Sequence, residues 1–194
     1  SGGRVGARVR AVPGRRLVLD RGVATTTGIT ASMPMMLTLI EAIAGREKAE
    51  AVARDLGLEH WDARHNSATY RMTRPFALTV LGNSVSFWNR ERLGIALGPG
   101  VDEVSLALAA DAWSRTYRSK ALTYASESGA LTSAHGVRIL PDRIAASWPG
   151  AVDLPKPGDA APADALDETL RQIENRYGEP TASVVTMQLE YPGR

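Results

Sequence analysis

Residues 93–125, LGIALGPGVDEVSLALAADAWSRTYRSKALTYA, constrain the fold more than any other stretch of the chain. Leu93 to Leu97 is a short apolar run that suits a buried strand. Gly98-Pro99-Gly100 is a sharp turn, and Val101 to Arg115 places apolar residues at helical spacing. Lys120 to Ala125 reads as another strand. Two strands joined through a helix cannot form a hairpin. A crossover of this length makes them parallel neighbours with a right-handed connection. Parallel strands bury both faces, so the rest of the chain must supply covering layers. After "SESG", the segment "ALTSAHGVRILPD" looks like a short strand pair closed by Pro141.

The N-terminal part carries a second strand and helix pattern. Arg16 to Asp20 reads as a strand, Arg21-Gly22 as a tight turn and Val23 to Thr27 as a β-branched strand, so the two form a hairpin. Gly28 breaks the strand and Ser32 is a good helix N-cap, with Pro34 tolerable in the first turn. Met33, Met36, Leu37 and Ile40 then fall on one buried face. Gly45 stops this helix. A second, Arg46 to Leu56, ends at Gly57 with Ala49, Val52, Ala53 and Leu56 on its inner side. Both 16–56 and 93–142 are thus expected to build βα layers with parallel strands. Phe76 to Trp88 is expected to be helical. Residues 148–164 carry Pro149, Pro155, Pro157 and Pro162 and read as a linker or extended surface loop. Asp164 is expected to cap a helix from Ala165 to Tyr177, and Thr181 to Leu189 to form a last one.

Composition narrows the function classes. The 194 residues suffice for one compact domain or parts of two. The most apolar stretch, Met33 to Ala44, is interrupted by Pro34, Thr38 and Glu41 and is too short to span a bilayer. No secretory signal is read in "SGGRVGARVR", and a start at Ser1 is expected of a processed product, a tag scar or a fragment. Cysteine is absent, which excludes disulfides, thiolate metal sites and a cysteine nucleophile within these residues. The expected setting is cytoplasmic. Net charge is +2, yet residues 1–22 hold six arginines against Asp20. This basic arm reads as solvated, because no recognition helix or interleaved aromatics point to direct nucleic-acid binding.

"RLVLDRGVATTTGITASMPMMLTLIEAIAGREKAEAVARDLG" resembles the C-terminal half of the ThiJ/PfpI superfamily, the class I glutamine-amidotransferase-like proteins. Asp20, Gly22, Thr26, Thr27, Gly28, Ala31, Leu39, Ile40, Glu41, Gly45, Ala49 and Val52 carry the likeness. The segment beginning at Leu93 resembles the opening half of the same superfamily. There it rests on Pro99-Gly100-Val101-Asp102-Glu103, Leu122-Thr123, Ser133, Gly136 and Leu140-Pro141-Asp142. The resemblance implies an α/β fold: a three-layer, flavodoxin-like sandwich with a mostly parallel sheet, incomplete here. It divides the chain into a tail half at 1–73, a head half at 74–147, and a proline-rich linker with C-terminal helices at 148–194. Active members place a cysteine on a strand-to-helix elbow beside a carboxylate. That carboxylate position falls on Ser105, which cannot lower a thiol's pKa.

The expected function is therefore a non-catalytic ThiJ/PfpI-like module, ligand-sensing or regulatory and related to transcriptional regulators. The alternatives are part of a cysteine-dependent hydratase or amidase-like enzyme whose nucleophile lies outside this chain, or an interaction subunit. No catalytic residue and no cofactor is assigned. A ligand pocket wall is expected from Thr27, Gly28, Ile29, Thr30 and Ser32, in the turn that flanks the elbow in the family. A small-molecule ligand is compatible with that turn. The expected macromolecular partner is a second copy of the chain or a missing N-terminal segment, and no membrane. No metal site is expected: His60 and His65, with Asp62, lie on different helical faces. His135 reads as a turn residue, and a Ser133, His135, Asp142 triad is discounted because it lacks a nucleophile elbow.

Overall fold

The computed structural model describes residues 17–20, 23–26, 32–59, 61, 74–85, 90–149, 152–154 and 160–191. The chain opens with β1 (Leu17–Asp20) and β2 (Val23–Thr26), paired antiparallel with Leu17 opposite Thr26. Then come α1 (Ser32–Ala44), α2 (Arg46–Leu56) and α3 (Arg74–Val85). The hairpin and the paired helices stand where the glycines and apolar spacing put them, but of the face expected to be buried on α1 only Leu37 is fully buried and Met36 is exposed. The expected parallel layer does not form there, because β1 and β2 pair with each other as a separate two-stranded sheet.

The second half meets the expectation. β3 (Glu91–Ala96), α4 (Glu103–Ser114) and β4 (Ser119–Ala125) make a parallel pair through a helix, with Leu93 opposite Ala121 and Ile95 opposite Thr123. Next come the antiparallel pair β5 (Leu131–Thr132) and β6 (Arg138–Ile139), then β7 (Arg143–Ile144), which adds parallel to β4. β8 (Val152–Leu154) adds parallel to the other side of β3. It lies inside the segment read from sequence as linker. Main-chain pairing beside β3 overrides the flanking prolines, which sit outside the three paired residues. α5 (Pro162–Tyr177) and α6 (Glu179–Leu189) close the chain. α5 starts earlier than expected, with Ala161 as N-cap and Pro162 in the first turn, so Asp164 lies inside the helix.

The sheet order β7-β4-β3-β8 defines an incomplete flavodoxin-like α/β sandwich with an all-parallel four-stranded sheet. Strand alternation sorts the two faces. Leu93, Ile95 and Leu97 point into one core with Leu106, Leu108, Ala112 and Trp113 of α4, Leu166 and Ile173 of α5, and Val185 and Leu189 of α6. Gly94 points the other way, under the ring of Trp148, which occupies the space a Cβ would need. Trp148 donates its indole N–H to the Arg92 carbonyl at 3.1 Å and lies 5.6 Å from the Tyr124 ring. No helix among the described residues is long and apolar enough to cross a membrane.

Candidate functional site

In open parallel sheets, ligand crevices lie beyond the carboxyl ends of strands where the strand order reverses. Here the chain steps from β3 outward to β4 and β7, then returns to β8 on the other side of β3. The reversal is therefore at the carboxyl end of β3, in the loop from Leu97 to Asp102. Gly100, at φ 74°, turns the backbone there. The loop is tied to the β5–β6 hairpin by Gly100 N–H to Thr132 O at 3.0 Å and Ala134 N–H to Val101 O at 3.0 Å.

The hairpin turn is closed around Ser133. Its main chain exchanges bonds with Val137 and Gly136, and its hydroxyl accepts from Val137 N–H at 2.9 Å. This holds His135 at the tip, directly over the start of α4. Asp102 is the N-cap, its Oδ1 accepting from Ser105 N–H at 2.6 Å. His135 Nδ1 is 3.1 Å from Glu103 Oε1 and 3.8 Å from Asp102 Oδ2, and its Nε2 is 3.4 Å from Asp55 Oδ2 on α2. One imidazole thus meets three carboxylates from two helices. The hydrogen bond and charge of Glu103, with Asp55 and Asp102 beyond, raise the His135 pKa above its ordinary value. Burial pushes Glu103 upward, but its own backbone N–H, the Ser133 hydroxyl and His135 outweigh that and hold the carboxyl below the usual range.

A helix N-terminus is ordinarily an anion site. At α4 the Asp102 carboxylate already caps the Ser105 N–H and Glu103 adds a second negative charge, so this end disfavours phosphate. Ser105, at the family's carboxylate position, is wholly buried, and its hydroxyl has no hydrogen-bond partner. Asp142 does not approach His135. It binds Thr123 instead, accepting from the backbone N–H at 2.8 Å and the hydroxyl at 2.9 Å, and so fixes the entry to β7. The Ser133, His135, Asp142 triad is not assembled.

Of the pocket-wall residues expected from sequence, Thr27, Gly28, Ile29 and Thr30 lie outside the described residues, as do His60, Asp62 and His65. Ser32 begins α1. The cluster at His135 was not anticipated: Glu103 and His135 are 32 residues apart, and Asp55 lies in the other half of the chain. The available signal was an Asp-Glu pair at a helix start followed by a histidine in the next hairpin turn.

The fold and this rim define an α/β module of flavodoxin-like order. No family model matches the chain, and no curated protein matches it. Among solved structures, it is similar to a crystal structure of an AraC family transcriptional regulator from Pseudomonas putida. That similarity has 11% identity and a TM-score of 0.40, over 50% of this chain and 97% of that one. Likeness of that extent carries no functional argument.

Proposed function

We propose that the chain is a non-catalytic, ThiJ/PfpI-like module that senses a ligand or regulates a partner by association with a second copy of itself. The observation that carries this reading is Ser105. A wholly buried neutral side chain stands where an active member needs a carboxylate, in a chain without cysteine. Neither half of a thiol–carboxylate pair is present among these residues, and Ser105 offers no charge that could depress a thiol's pKa. In this reading, Thr27, Gly28, Ile29, Thr30 and Ser32 form the wall against which a small ligand sits.

Two measurements test it. Incubation of the chain with amide and isonitrile substrates is expected to give no turnover; turnover would overturn the non-catalytic assignment. Light scattering after size exclusion is expected to show a dimer or larger species, and a monomer would overturn association with a second copy.

A further inference from the structure

Caps and turns account for most polar groups around the β3–α4 loop, but not for all of them. Glu103 Oε2 is buried and has no hydrogen-bond partner, and neither has the Ser105 hydroxyl on the same helical turn. Asp102 spends only Oδ1 on the helix cap, leaving Oδ2 toward the histidine. Among the described residues, no lysine or arginine is ion-paired with Asp55, Asp102 or Glu103. The partial positive charge of the helix end, about half an elementary charge, offsets only part of the excess.

We propose that Asp102, Glu103 and His135 form a binding site for one divalent ion of the zinc or manganese kind, with Asp55 orienting the histidine ring from α2. The candidate ligand atoms all lie within 4.8 Å of one another. Metal–ligand bonds of about 2.0–2.2 Å place neighbouring ligand atoms about 3.0–3.5 Å apart. The Nδ1–Glu103 separation of 3.1 Å lies inside that range, and the Nδ1–Asp102 separation of 3.8 Å lies 0.3 Å beyond it. Nδ1 faces the two carboxylates and Nε2 faces Asp55 Oδ2 at 3.4 Å, which is the carboxylate–histidine–metal arrangement that fixes a ligand's tautomer and ring plane. An ion would also give the orphaned Glu103 Oε2 a partner, relieving the cost of a buried unsatisfied oxygen. One imidazole with two carboxylates suits zinc or manganese better than calcium, which takes six to eight oxygens. The ion would brace α2 to the β5–β6 hairpin and α4. The proposal is independent of the regulatory reading above.

The test is calorimetric titration of the metal-stripped 194-residue chain with Zn²⁺ and, separately, Mn²⁺. One equivalent of at least one ion is expected per chain. Affinity should fall at least tenfold in Glu103→Gln and His135→Gln, and about 10–100-fold in Asp55→Asn. Asp102→Asn, which keeps the capping acceptor while removing the charge, should also bind at least tenfold more weakly. It serves as the second readout if either of the first two variants does not fold by circular dichroism. Changing His60 and His65 together to glutamine should leave the affinity unchanged. Binding of neither ion, undiminished binding by folded His135→Gln or Asp102→Asn, or loss of binding in the His60/His65 variant would each overturn the site.

Discussion

Helices α1 and α4 are nearly the same length, 13 and 12 residues, and both are rich in apolar side chains, yet they end in different surroundings. α4 buries Ser105, Leu106, Leu108, Ala112 and Trp113. α1 buries Pro34 and Leu37 and leaves Met36, Leu39 and Ile43 exposed, Ile43 at 78%. These three are spaced i, i+3, i+7, an apolar stripe left exposed among the described residues. α3 repeats the pattern, with no buried residue and with Leu78, Leu81 and Val85 outward. Apolar content alone therefore does not decide burial. α4 spans two parallel strands whose inward residues meet it, whereas α1 follows a two-stranded hairpin that offers no comparable face. Stripes exposed on α1 and α3 among the described residues are in keeping with the association proposed above, since monomers rarely keep large contiguous apolar patches exposed.

The comparison is tested hardest by truncating a side chain on each side of it. Leu93→Ala removes a fully buried β3 side chain and should cost about 2–5 kcal/mol in urea unfolding, the range for large-to-small core changes. Leu78→Ala, at 69% exposure on α3, should change stability by no more than about 0.5 kcal/mol. Equal losses would mean that α3 is covered in solution. Gly94→Ala probes the opposite face of β3. Its new methyl meets the Trp148 ring near its centre, where no flexible end can move aside, and about 1–3 kcal/mol of overpacking is expected. A neutral result would show that Trp148 can leave the sheet.

A smaller effect is expected at the start of α4. Asp102→Ala should cost about 1 kcal/mol of stability in metal-free buffer through loss of the cap, while Asp102→Asn keeps an acceptor and most of that stability. The two variants should thus separate in thermal melts without metal and converge in their loss of metal affinity.

How much of this was legible in the sequence depends on how local the cause is. Gly28, Gly45, Gly57 and the apolar spacings marked β1, β2, α1 and α2 closely, because turns and helix ends are set by neighbouring residues. The β3–α4–β4 unit was legible for the same reason, with a parallel connection following from helix length. β8 was not: Val152-Asp153-Leu154 is three residues between prolines, and only the bare edge of β3 makes it a strand. The antiparallel pairing of β1 and β2 was legible as a hairpin, but not their separation from any larger sheet, because residues that favour strands do not name every partner. At the candidate site, Asp102 and Glu103 could be placed on a helix start. The approach of His135 and Asp55 depends on a hairpin folding back over the loop and on α2 docking beside it, which no local spacing encodes.

A small, pH-dependent effect is expected at the opposite end of β3. Glu91 accepts from Arg176 Nε at 2.9 Å and Nη2 at 3.0 Å and from the Tyr177 hydroxyl. The Arg176 hydrogen bond, followed by that of Tyr177, holds the Glu91 pKa below its ordinary value despite an opposing burial effect. A carboxylate with a depressed folded-state pKa stabilises the fold above its unfolded pKa, and the contribution disappears as pH falls through the folded value. The pair is partly exposed, with 34% and 42% of the two side chains accessible, so screening limits the contribution to roughly 0.2–1 kcal/mol. Glu91→Gln should therefore lower stability at neutral pH by about that amount, and the gap to the parent chain should close in acid below the ordinary carboxylate range. A gap that persists unchanged into acid would mean that Glu91 acts there through shape, not charge.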